Sequence, residues 1–202
     1  MQSMIKTVLF DFGGVIAEEG FYEGLLAIGE MNVLNPEAFF KTVEALIVET
    51  GYLTGTNNEA AFWNAVRDLT CITMNDAELR HEILKRFKLR PKIIEYADLL
   101  RSKGFIVAML SDQTNWLDEI DQKTSLFQHF DKVFNSYHIH KSKRDATVFR
   151  DVCSDLNVMP NETLFIDDNA NHIERAKTQG LQVIHFVGMA DFRKQIKKLL
   201  FV

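Results

Sequence analysis

The stretch Val8–Ile16, VLFDFGGVI, decides the fold. Ile5 to Phe10 is apolar and contains Val8 and Phe10, the mark of a short buried strand. Asp11 follows it, and Gly13-Gly14 turn the chain into a loop. A carboxylate at the end of a buried strand is costly unless it is paired, hydrogen-bonded or metal-bound. Asp11 therefore calls for partners.

Similar endings recur downstream. Phe105–Leu110 reads as a second buried strand and ends in Ser111-Asp112. Lys132–Ser136 reads as a third, Thr163–Ile166 as a fourth ending in Asp167-Asp168, and Gln182–Phe186 as a fifth. Helical patterns lie between them: Leu117 and Ile120; Val148, Val152 and Leu156; residues 169–179, stopped by Gly180. Phe192, Ile196 and Leu199 line a last helix. This alternation predicts an α/β fold, a parallel sheet with helices on both faces. Such sheets bind ligands at the carboxyl ends of their strands. Asp11, Ser111 and Asp167-Asp168 all fall there.

No strand pattern interrupts the region between the first two strands. Asn35-Pro36 opens a helix with Phe39, Val43, Leu46 and Ile47 on one face. Gly51 and Gly55 break it. Phe62, Val66 and Leu69 mark a second helix, and Asn75 with Glu78 a capping box for a third carrying Leu79, Ile83 and Phe87. Pro91 opens a helix reaching about Leu100 and returns the chain to the sheet. The reading is a core of residues 1–16 and 90–202 with a small helical cap, 17–89, inserted over one sheet edge. Phe21, Tyr22 and Trp63, near the joins, are the aromatic residues expected to line the pocket, since Trp63 beside Phe62 cannot share its helix face.

Composition narrows the classes. The 202 residues are 47% hydrophobic and 25% charged, as in a folded chain, with a formal charge of −5. A non-specific nucleic-acid binder would normally be basic. The longest apolar runs are too short to cross a bilayer. Met1 to Phe10 lacks the layout of a secretory signal, and two cysteines form no disulfide framework or CxxC. The expected setting is the cytoplasm, with a small phosphorylated metabolite as partner, no nucleic acid, no membrane, and a monomer or weak homodimer.

Acidic groups converging on one sheet edge repel each other, and a hard, oxygen-seeking cation such as Mg²⁺ relieves that. Ser111 can bond a phosphate oxygen. Gly13 and Gly14 leave backbone N–H groups bare, and Lys141 or Lys143 can neutralise the anion. There is no GxxxxGKS/T, GxGxxG or HExxH. Each residue also has a plainer use. Asp11 can cap a turn, Asp168 or Asn169 a helix, Ser111 can be a turn residue, and Lys141, Lys143 and Arg144 a solvated face. Joint occurrence, in order, at strand ends favours phosphoryl transfer.

The motifs resemble those of the haloacid dehalogenase-like (HAD) hydrolase superfamily over nearly the whole chain. The resemblance is strongest to the branch with a small helical cap, which includes sugar-phosphate phosphatases and the amino-terminal domain of soluble epoxide hydrolases. VLFDFGGVI matches the first motif, VAMLSD the second, HKSKRDATVFRDV the third and LFIDDNANHIERAKTQGL the fourth; in the cap, GYLTGTNNEAAFW resembles this branch's GxxxxxxFW element. The resemblance implies a HAD-like Rossmannoid core and a Mg²⁺-dependent phosphatase forming an aspartyl phosphate on Asp11. It puts the metal on Asp11, the Gly13 carbonyl and Asp167, with Asp168 and Asn171 supporting it. Phosphate would be held by Lys143, Ser111, Asp112 and the N–H groups of Phe12 and Gly13.

Three places depart from the family pattern. The general acid two residues after the nucleophile is Gly13 here, a loss worth roughly 10²–10⁴-fold unless compensated. Glu18 or Glu19 are the loop acids available to replace it. Arg144 follows the motif lysine in place of proline, and His172 stands at the Asn place of the fourth motif, beside Asn171. These departures motivate an alternative, a phosphate-binding or regulatory protein with little turnover. His138 and His140, read as alternating on a strand, are expected at the rim.

Overall fold

Strand β1 (Thr7–Phe10) has all four side chains buried in the computed structural model, which describes residues 4–200. Burial on both faces is what a central parallel strand demands. β2 (Ile106–Ser111) and β4 (Thr163–Asp167) flank β1 in parallel, Val8 lying opposite Val107 and Leu164. β3 (Lys132–Asn135) and β5 (Gln182–His185) form the edges, giving the order β3-β2-β1-β4-β5. The order reverses between β1 and β4, which places the ligand crevice beside the ends of those two strands.

Alternate residues of the strands feed two cores. Val8, Phe10, Met109 and Ile166 pack with α5 (Pro91–Ser102) and α10 (Met189–Leu200). Leu9, Ala108, Leu110 and Phe165 pack with α8 (Val148–Asp155) and α9 (Ala170–Thr178). Helices thus cover both faces, as the alternation predicted. Next to β2 and β3 lie α6 (Trp116–Thr124) and the single turn α7 (Ser136–Ile139). No helix among the described residues is long and apolar enough to cross a membrane.

Four helices fill the interval before α5: α1 (Gly20–Met31), α2 (Pro36–Glu49), α3 (Glu59–Thr70) and α4 (Asp76–Leu84). The Asn35 side chain accepts the Ala38 N–H at the start of α2, and Asn75 with Glu78 closes a full capping box on α4. Ala17 pairs antiparallel with Leu89, so the entering and leaving chains run side by side. Three details differ from expectation. α1 was not among the helices expected. Leu69 is 67% exposed, because the buried stripe of α3 is Phe62, Trp63 and Val66. Phe87, buried, lies beyond the end of α4.

The loop after β1 is tied down from the far join. The Arg90 guanidinium donates to the carbonyls of Val15 and Ala17 (both 3.0 Å) and to that of Gly14, and pairs with Glu18 at 2.8 Å. One cation at the cap's exit thereby fixes its entrance.

Candidate active site

Asp11 follows β1 directly and its N–H still donates to Ile166 O of β4 (2.9 Å). Its side chain is nearly buried. Oδ1 accepts the N–H of Phe12 at 2.6 Å and pairs with Lys143 Nζ at 2.7 Å. Lys143, 1% exposed, also reaches Asp167 Oδ2 at 2.8 Å, so one ammonium sits between two carboxylates. A triad of this kind is a net single negative charge in low dielectric, which only multiple contacts make tolerable. The backbone supplies some: the Lys143 N–H donates to the Asp112 carboxylate (2.8 and 3.1 Å), and the Asn169 N–H to Asp167 Oδ1 (2.7 Å).

The two acids are driven apart. Burial, and then the charge of Asp167, raises the pKa of Asp11 well above the usual carboxylate range. Burial would raise Asp167 too, but Lys143 and His172 outweigh it and hold that carboxyl below the usual range. For Lys143, burial works against the charge, yet Asp11, Asp167 and Asp112 together lift its pKa above that of a free lysine.

Ser111 ends β2 and lines the same cleft. Its Oγ is fully buried and has no hydrogen-bond partner among the described residues. An unmet buried hydroxyl costs about 1–3 kcal/mol, so this atom is waiting for a polar ligand. The loop behind it is pinned by groups the sequence did not single out. Asn135 Nδ2 donates to Thr114 O (2.9 Å), and Ser136 Oγ contacts both Leu53 O (2.9 Å) and Gln113 O (3.0 Å).

The cleft measures about 470 Å³. Asp11, Gly13, Ser111, Asp112, Lys143 and Asp168 form its floor; Glu19, Phe21, Tyr22, Phe40, Ile47 and Leu53 face them from the cap. Arg144 and Glu44, 3.2 Å apart, bridge the two sides. Gly14 has φ +73°, and a Cβ there would lie 2.0 Å from Asp168 Oδ2. Only glycine lets the Asp168 carboxylate come so close to this loop. That carboxylate has no ion pair and no partner side chain among the described residues, and burial followed by Asp167 raises its pKa.

Four expectations change. Trp63 does not reach the cleft: it is fully buried, stacks near Trp116 (6.0 Å) and donates Nε1–H to Glu59 Oε1 (3.1 Å). The Phe12 N–H, expected on phosphate, is taken by Asp11. Asn171 is exposed; it is His172, one residue on, whose Nδ1 lies 3.1 Å from Asp167 Oδ2. His138 and His140 are not on a strand. His138 lies in α7 and meets Asp118 (2.8 Å), while His140, at φ +55°, meets Thr54 O (2.8 Å). Both are exposed.

The donor set suits a hard cation. Asp11, Asp167 and His172 place ligand atoms within 4.8 Å of one another. Lys143 and His172 already occupy Asp167 Oδ2, whereas among the described residues the Asp11 contacts fall on Oδ1 and leave Oδ2 without a protein donor. Asp168, expected only behind the metal, lines the cleft itself.

A family model for haloacid dehalogenase-like hydrolases matches residues 5–180, from the first strand through the fourth-motif helix. The chain belongs to the haloacid dehalogenase-like hydrolase family. It is 24% identical over 205 residues to D-ribitol-5-phosphate phosphatase of Bacteroides thetaiotaomicron, covering 98% of this chain and 99% of that one. It is also 24% identical over 130 residues to bifunctional epoxide hydrolase 2 of Rattus norvegicus. That match takes in 61% of this chain but only 23% of the rat protein. A HAD family enzyme of B. thetaiotaomicron, solved in complex with magnesium and inorganic phosphate, superposes with a TM-score of 0.71 at 22% identity, covering 89% of this chain and 93% of that one. This HAD hydrolase thus shares its fold with that enzyme.

Proposed function

We propose that this HAD hydrolase is a Mg²⁺-dependent phosphatase acting on a small phosphomonoester, a sugar or polyol phosphate, through an aspartyl phosphate on Asp11. One observation carries the reading. Asp11 and Asp167 share the buried Lys143 ammonium, beside an orphaned Ser111 hydroxyl, at the floor of a cleft sized for a small metabolite. The phosphatase and the phosphate-bound neighbour are similar chains that lend it weight.

Phosphoryl transfer asks mainly for positioning and charge neutralisation. Asp11 Oδ2, free of protein donors, attacks phosphorus, while Oδ1 stays tethered to Phe12 and Lys143. The Lys143 ammonium and the Ser111 hydroxyl hold non-bridging oxygens. Asp11, the Gly13 carbonyl, Asp167 and Asp168 would hold the cation, which when bound neutralises charge on the phosphoryl group. The cap's Phe21, Tyr22 and Leu53 exclude water and face the substrate's organic part. Water then attacks the aspartyl phosphate, freeing Asp11.

A phosphate-release screen over sugar, polyol and aryl phosphates with Mg²⁺ tests this, with Asp11→Asn as control. Release that vanishes in the variant and on chelation is expected. No Asp11-dependent release from any compound overturns the reading.

A further inference from the structure

The cap's entrance holds two adjacent acids with different fates. Glu18 is committed to Arg90 at 2.8 Å. Glu19 has no ion pair or side-chain hydrogen bond among the described residues. It occupies the N-cap position of α1 without capping it. A carboxylate at a helix N-terminus gains from the dipole in many orientations, so that position does not explain where this one points. It points at Gly13. A Cβ built on Gly13 would lie 3.1 Å from Glu19 Oε1, 3.7 Å from Cδ and 3.8 Å from Oε2. Gly13 is not in the left-handed region, so nothing in its backbone demands glycine. The Glu19 carboxyl fills the space its missing side chain would use.

Packing holds it there. A Cβ on Gly20 would meet the Phe87 ring and N at 2.6–2.8 Å, so the first turn of α1 is seated against Phe87. The Phe87 ring in turn packs on Phe12 at 5.3 Å. Glu19 and Asp11 line one cleft, Asp11 at the end of β1 and Glu19 at the start of α1. In-line displacement puts the leaving oxygen opposite the nucleophile, hence toward the cap.

We propose that Glu19 is the general acid and base of this site, standing in for the side chain that Gly13 lacks. The inference rests on the phosphatase reading. As the Asp11 oxygen bonds phosphorus and the bond to the alcohol oxygen breaks, the Glu19 carboxylic acid gives that oxygen its proton and becomes a carboxylate. In the second step the carboxylate takes a proton from water as the water oxygen attacks phosphorus. Inorganic phosphate leaves, Asp11 is freed as a carboxylate, and Glu19 ends protonated. Such an acid matters most for alkoxide leaving groups, as in sugar and polyol phosphates.

The experiment compares kcat/KM of the full chain and its Glu19→Gln variant, with Mg²⁺, on glycerol phosphate and on 4-nitrophenyl phosphate. The nitrophenolate needs little protonation to leave. The expected result is a loss of roughly 10²–10³-fold on the alkyl ester and under about tenfold on the aryl ester. A second pair removes any doubt about folding: Glu19→Ala should lose the alkyl activity, and adding Gly13→Asp to it should restore at least about tenfold. Equal losses on both esters, or none on the alkyl ester while the unaltered chain releases phosphate, overturn the role of Glu19 alone. If the unaltered chain releases phosphate from neither ester nor any compound of the screen, the phosphatase reading falls and takes this role with it.

Discussion

The floor and the roof of the cleft are built on different principles. The floor is over-determined. Asp11, Lys143 and Asp167 are buried, mutually bonded and braced by backbone N–H groups from three loops. The roof is under-determined. Glu19 is unpaired, Tyr22 donates only to the exposed Glu37 (2.7 Å), and Arg144–Glu44 is a solvent-exposed pair. An exposed pair contributes about 0–1 kcal/mol, so it does not lock the roof to the floor. Groups that need exact placement stand at sheet ends, and the groups facing them stand on α1 and α2.

The sharpest break in the comparison is Asp11→Asn. It should lower kcat/KM by about 10⁴-fold or more, since it removes the attacking oxygen. It should not unfold the protein, because the same change removes repulsion with Asp167. Residual phosphate release with intact circular dichroism checks both halves. Lys143→Met comes next. It leaves Asp11 and Asp167 facing each other without the ammonium, a buried uncompensated charge that should cost about 3–5 kcal/mol in urea unfolding. No roof substitution should destabilise the fold by that much.

The roof gives a smaller effect with a definite sign. Burial first, then the charges of Asp168 and Asp167, lifts the Glu19 pKa to about 7 from the usual 4.5. Between those values the folded chain binds more protons than the unfolded one, so stability falls as pH rises through the window. Above pH 7 the ionised Glu19 is a net cost of at most roughly 3 kcal/mol. Glu19→Gln should therefore be more stable than the unaltered chain at pH 8, and the gap should close toward pH 4.5. Unfolding midpoints in chelator at several pH values read this directly, and a constant gap would mean that the Glu19 carboxyl titrates in the fold as it does in the unfolded chain.

What could be read in advance follows the same division. The strand part of the floor lies where apolar runs end in polar groups, and three such endings in order made the sheet, its parallel sense and Asp11, Ser111 and Asp167 visible; the residues left Lys141 and Lys143 open, and only the family resemblance chose Lys143. The capping pairs Asn35-Pro36 and Asn75-Glu78 were visible because they act within four residues. α1 was invisible for a physical reason. Three of its five buried residues are glycines, with Gly24 so close to α4 that a Cβ would lie 2.7 Å from the Ile83 Cα, so few apolar side chains mark its buried face. Trp63 was misplaced because adjacent helix residues can both be buried when the helix is enclosed, as α3 is by Tyr52 and Trp116. Glu19 and His172 are side chains whose roles depend on where a loop points, which no local pattern encodes. His172 replaces an amide with an imidazole still within reach of Asp167, one turn into α9.

Ser111 offers the finest division between holding the fold and holding a ligand. A buried hydroxyl normally supports stability through its hydrogen bond, and truncating it costs about 1 kcal/mol. The Ser111 Oγ has no partner to lose. Ser111→Ala should therefore leave the unfolding midpoint unchanged or slightly raised. Inorganic phosphate, by contrast, would gain its contact from this atom. Its dissociation constant in the presence of Mg²⁺ should rise about tenfold, the equivalent of one hydrogen bond to a charged group. The neighbouring Asn135→Ala, which cuts the loop's bond to Thr114 O, should do the reverse, lowering stability first and binding only through it. If Ser111→Ala weakened the fold and spared phosphate, the hydroxyl would belong to the scaffold, and the boundary between floor and ligand would have to be drawn one layer further out.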